Sequence, residues 1–243
     1  MSNGKKREPA HARGASTAGR LAFAILACSA VGGCSAEPPA AIEIGTAKGT
    51  GQRVSYPAAF DPSGYFAFDQ WPAACSFLTA AEIRSVLPQA TKVSHRSSDI
   101  KLSLIGSSRE VTAKGARCTI TFRLPGMNGA VLIDERTAGR RVTALPKSEL
   151  PSGGTNSVPA GDGCAADRTT TEVRCARGRI TFKISTPSAY QKRERSSEEK
   201  VRYSLAGKIV TFDRESAGGF QKKVAFEREH ITIPFAKLIV AKL

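Results

Sequence analysis

The apolar stretch over residues 21–31 runs into Val31-Gly32-Gly33-Cys34, and a Cys in that setting decides where, and under what redox conditions, the rest of the chain folds. Basic residues precede the stretch (Lys5, Lys6, Arg7, Arg13, Arg20) and small residues close it, the three-part layout of an export signal. About 20 apolar residues are needed to cross a hydrocarbon core of roughly 30 Å. This run has little more than half of that, so it reads as a signal and not as a spanning anchor. Val three positions before Cys, with two glycines between, matches a lipobox. Cys34 is therefore the expected lipidation site and first residue of the mature chain, with residues 1–33 removed. The expected location is the extracytoplasmic face of the cell membrane. A buried methylene contributes about 0.8 kcal/mol, and stable anchoring takes more than one acyl chain, which a lipoprotein Cys supplies. The competing reading is ordinary secretion with cleavage near Ala36.

An exported chain folds where thiols are oxidised. Of six cysteines, Cys28 lies in the leader and Cys34 carries lipid, which leaves Cys75, Cys118, Cys164 and Cys175. Four cysteines allow three connectivities. The sequentially nearest pairing, Cys75 with Cys118 and Cys164 with Cys175, is the favoured one; the second pair closes a short loop that ends in β-prone residues. A metal site is the weaker alternative. No Cys-x-x-Cys pair exists, and the mature chain keeps only His95 and His230, so no metal ligands and no cofactor are assigned.

Loss of residues 1–33 removes five basic residues and one acidic residue, so the net charge falls from +15 to about +11. An exported basic protein meets lipid headgroups and anionic wall polymers rather than nucleic acid. Nor is there the aromatic interleaving that stacks bases. The basic residues read as scattered, part of an ordinary solvated surface. The expected partners are the membrane, through the lipid, and an anionic envelope polymer, a lipid or a protein.

Residues 34–68 read as a flexible tether, rich in Ala, Pro and Gly at first and without long apolar periodicity. Residues 69–243, about 175 in number, suffice for one domain with a real core. Near its start Thr79 and Glu82 form a capping box, flanked by Leu78 and Ile83 as a hydrophobic staple, and the helix stops at Pro88. The pattern then turns to period two: Ile100, Leu102 and Leu104; then Cys118, Ile120 and Phe122; then residues 129–135. A hairpin is expected around Arg177-Gly178, and a long loop over 146–163. Over 189–212 two patterns compete. Val201, Leu205, Ile209 and Phe212 share a helical face, and a helix is the expectation, with strands around Ala206-Gly207 as the alternative. A docked C-terminal helix with Pro234 in its first turn is expected at the end, and an edge strand is its alternative. The fold class is α+β, an antiparallel sheet with packed helices, disulfide-bridged.

A lipobox, a small-residue linker, Cys75-Ser-Phe-Leu-Thr-Ala-Ala-Glu82 and a second Cys at Arg117-Cys118 together resemble the uncharacterised actinobacterial cell-envelope lipoproteins of a domain-of-unknown-function group. The resemblance covers mainly residues 70–125. It implies an α+β domain, a Cys75 to Cys118 bridge and no established activity. The Cys164 and Cys175 pair departs from that pattern.

No catalytic residue is assigned. The chain has no Gly-x-Ser-x-Gly elbow, no His-Glu-x-x-His and no phosphate-cradling glycine loop. His95 reads as a surface residue, His230 as a polar residue at a strand start, and Trp71 and Phe77 as core or bridge-packing aromatics. The expected function is a non-catalytic binding or sensing module for an envelope ligand or partner protein, acting through its sheet face or the loop 146–163. A cell-wall or lipid hydrolase, or a lipid carrier with an apolar cavity, is the alternative.

Overall fold

A computed structural model describes residues 40–54, 73–103, 110–136, 157–161, 163–177, 180–186, 200–213 and 218–243. The leader, Cys34 and Trp71 lie outside these residues.

The chain enters as β1 (Ile42–Ile44) and turns through a short 3-10 stretch (Ala74–Ser76) into α1 (Ala80–Val86). Then come β2 (Thr91–Ser103), β3 (Glu110–Leu124), β4 (Met127–Arg136), β5 (Ser157–Pro159), β6 (Cys164–Asp167), β7 (Val173–Arg177) and β8 (Ile180–Ser185). A separate hairpin, β9 (Lys200–Leu205) and β10 (Lys208–Asp213), precedes α2 (Gly219–Glu227) and α3 (Ile233–Lys242). Seven strands form an antiparallel sheet in the order β2-β3-β4-β8-β7-β6-β5, and three form a smaller one in the order β1-β9-β10. The architecture is the expected α+β.

The capping box forms as its spacing predicts. The Thr79 hydroxyl accepts from the Glu82 amide at 3.2 Å, and Glu82 Oε2 accepts from the Thr79 amide at 2.9 Å. Leu78 and Ile83 are fully buried beside it. Period-two alternation sends Cys118, Ile120 and Phe122 of β3 to one face, with Ile133 of β4 and Ile184 of β8 beside them. α1 and α3 pack on each other over that layer, and Phe77 meets Phe182 edge-on with ring centres 6.2 Å apart. Tyr203, Phe212 and Phe226 form a second aromatic cluster between the small sheet and α2.

Four expectations are corrected. Residues 42–54, assigned to the tether, belong to the fold. β1 pairs in parallel with β9, Ile42 is buried, and the Val54 amide donates to the Lys242 carbonyl at 2.9 Å. A strand of three residues has no period to read, and its partner lies far along the chain. Gly45 lets this strap lie on α1, because a Cβ there would stand 2.3 Å from the Ser85 carbonyl oxygen. Within the expected loop 146–163, residues 157–159 form β5.

The helix expected over 189–212 is also replaced, since its described part is the β9–β10 hairpin. Ala206 and Gly207, with φ of 49° and 80°, take the left-handed conformation that a tight hairpin needs and a helix forbids. Val201, Tyr203, Val210 and Phe212 face inward in this register, while Ile209, which completed the helical face, is left 48% exposed. Finally, His230 is helical. α2 continues through a π-helical turn (Arg228–Thr232) into α3, and the Ile233 amide reaches back to the Arg228 carbonyl. Pro234 sits in the first turn of α3 as expected; the widened turn before it accommodates its ring and missing N–H without ending the helix.

Candidate functional site

Both disulfides sit on the core side of the large sheet. Cys75 bonds Cys118 on β3 with Cα atoms 4.9 Å apart, and Cys164 bonds Cys175, its direct partner across β6 and β7, at 4.0 Å. They pin the 3-10 turn and the β6–β7 end of the sheet, so the opposite face is presented by a braced frame.

That opposite face follows from the same alternation. If Cys118, Ile120 and Phe122 point into the core, Arg117, Thr119, Thr121 and Arg123 point away. Register then places Arg96 of β2 opposite Thr119, Ser94 opposite Thr121, and Thr91 opposite Arg123. On the other flank Asp134 stands opposite Arg117, Lys183 opposite Asp134, and Arg174 opposite Lys183. The outcome is a broad polar surface with a surplus of cations. Arg117 and Arg123, six residues apart on one strand, are about 20 Å apart at the rise of an extended strand.

Asp134 and Glu172 are already engaged. Arg117 donates to both oxygens of Asp134, at 2.7 and 3.4 Å, and these hydrogen bonds push the guanidinium pKa further up. Glu172 holds Arg174 at 2.6 Å and Lys183 at 3.2 Å. Arg96 and Arg123 are exposed and have no carboxylate partner among the described residues. Serine and threonine hydroxyls lie between the cations, so the surface offers charge and hydrogen-bond donors together. Such a face can hold an extended anion by many shallow contacts.

The sequence reads these basic residues as scattered; the sheet gathers them. A signal was present, since Arg117 and Arg123 occupy the phase opposite to Cys118, Ile120 and Phe122. The partners on β2, β7 and β8 become visible only through register. Of the other residues singled out, His95 is exposed, as expected, with its Nε2 2.8 Å from the Leu78 carbonyl oxygen. His230 stacks against Phe226 at 4.5 Å, and Phe77 is fully buried in the core. No group of three or more His, Cys, Asp or Glu side chains placed to hold a metal ion occurs among the described residues.

Among the described residues no helix is long and apolar enough to cross a membrane. Comparison with protein-family models, with curated proteins and with solved structures gives no match to the chain.

Proposed function

We propose that the protein is a lipid-anchored lipoprotein of the extracytoplasmic membrane face, a non-catalytic binding module that holds an anionic envelope polymer across the open face of its large sheet. The observation that carries this reading is the cationic surface of Arg96, Arg117, Arg123 and Arg174, in which Arg96 and Arg123 have no acidic partner among the described residues. The lipobox at Cys34 and the resemblance of residues 70–125 to cell-envelope lipoproteins support the location. The two disulfides support a preorganised surface, since a frame that does not reorganise loses less entropy on binding.

The test is capture of the full chain by an immobilised anionic wall polymer at low and high salt. Contacts to a charged chain release counterions, so capture weakens steeply as salt rises. Replacing Arg96 and Arg123 with Glu is expected to abolish capture at physiological salt without unfolding the protein, because both side chains are exposed. Salt-insensitive capture, or full capture by the double variant, contradicts the reading.

A further inference from the structure

Ile42 follows Cys34 by only eight residues and is fixed in β1 beside Tyr203 of β9. A chain spans at most about 3.5 Å per residue, so that link reaches no more than about 28 Å. β9 lies between β1 and β10, which puts Ile42 about 10 Å from β10 at the ordinary strand spacing. With lipid on Cys34, the small sheet stays within that short reach of the bilayer; a tether running to residue 68 would have freed it.

The elements beside this link carry a distinct surface. Ile209 of β10 and Phe220 in the first turn of α2, 48% and 43% exposed, are the two exposed large apolar side chains among the described residues. A single exposed apolar side chain is ordinary. These two lie on adjoining elements, because α2 packs on β10 and Phe226 meets Phe212 with ring centres 5.2 Å apart. The other exposed residues of β10 and α2 are Lys208, Thr211, Gln221 and Lys222. Two apolar side chains thus stand with two cations, and neither element exposes an acid. β10 is also the outermost strand of its sheet among the described residues.

We propose that this surface of β10 and α2 is a second membrane contact, resting on anionic lipid headgroups beside the anchor. The contact presupposes the lipid-anchored reading of Cys34 given above. Apolar side chains flanked by lysines suit the boundary between headgroups and acyl chains, where the apolar group enters and the ammonium stays with the phosphates. The occupant is lipid and not a soluble anion, because a soluble anion gains nothing from Ile209 or Phe220. An acyl anchor alone leaves a domain free to turn, whereas a second contact fixes its orientation.

The test reconstitutes the lipidated chain in vesicles of phosphatidylglycerol and phosphatidylcholine whose acyl chains are brominated near the headgroup. Ile209→Trp, Phe220→Trp and Thr121→Trp are made in turn, the last on the outward face of β3, each with Trp71→Phe to remove the chain's one native tryptophan. Should Trp71→Phe fail to fold, each probe is read as the difference from the parent that keeps Trp71. Emission at positions 209 and 220 is expected to shift to the blue and to be quenched, and emission at 121 to stay unchanged. If either of the first two probes stays unquenched in a chain that sediments with the vesicles, the contact is overturned and the anchor stands; a chain that does not sediment overturns both. Equal or stronger quenching at 121 turns the cationic sheet face to the lipid and overturns the contact. So does a blue shift that needs no vesicles and grows with protein concentration, which assigns the surface to a second copy of the chain. Lys208→Gln with Lys222→Gln keeps the apolar pair and is expected to lower the ratio of docked to undocked protein about 25-fold, roughly fivefold for each lysine near an anionic surface. Undiminished quenching at 220 in that protein overturns the assignment to anionic headgroups.

Discussion

Glu82 shows how much one side chain can be asked to hold. Thr79 belongs to its own helix, Thr50 to the N-terminal strap and Lys242 to the last turn of α3, so a single carboxylate ties three distant parts of the chain. Burial pushes its pKa up, but the Lys242 ammonium and the hydrogen bonds from Thr79 and Thr50 outweigh burial and hold it below the ordinary 4.5. A carboxylate whose folded pKa lies below its unfolded value contributes stability that is present above the unfolded value and lost as pH falls through the folded one. Denaturant titrations of the wild type are therefore expected to show an acid-side loss beginning near pH 4.5 and deepening below it; Glu82→Gln flattens that limb. Lys242→Met is the harsher change, because it leaves Glu82 buried beside no cation, and a loss of about 3–5 kcal/mol is expected at neutral pH. An unchanged midpoint in Lys242→Met would show that the buried ion pair contributes nothing to holding the strap on α3.

At the scale of elements, legibility tracked the distance over which each signal acts. The cap of α1 is written within four residues, from Thr79 to Glu82, and forms where it is written. The alternation of β3 is written within seven, and its core face is the one expected. The strap carries no such local signal. Ile42 and Ile44 are read as tether because β1 is defined by β9, and β9 was itself read as helix on the strength of Ile209, a residue that the hairpin exposes. The basic face was half legible: β3 shows its phase, but Arg96, Arg174 and Lys183 join it only through register. The strap makes a direct prediction. A chain beginning at residue 69 loses the burial of Ile42, about 1.5–3 kcal/mol for a side chain of that size. It also loses the hydrogen bonds from Thr50 to a charged acceptor, about 1.5–3 kcal/mol. Its urea midpoint is expected to fall by the equivalent of about 3 kcal/mol or more relative to a chain beginning at Pro38, with disulfides intact in both.

Across the whole molecule, the two sides of the large sheet divide the work. One side holds the disulfides and the apolar layer; the other holds cations and hydroxyls. The proposed retention at a membrane rests on neither, but on Cys34. Cys34→Ala is expected to leave the protein unprocessed or to release it from membranes into the soluble fraction, read by fractionation and blotting. Continued retention of a processed Cys34→Ala chain would remove the lipid anchor from the account. The parallel pairing of β1 with β9 has one more consequence, which concerns time. A chain made from its N-terminus produces Ile42 long before Tyr203, and Glu82 long before Lys242. The first strand therefore has no edge to join until β9 exists, and the first buried charge no counterion until the last turn of α3 exists. A product cut short within α3 keeps the edge that β1 joins but lacks the cation that neutralises Glu82, so its strap closes over an uncompensated buried charge.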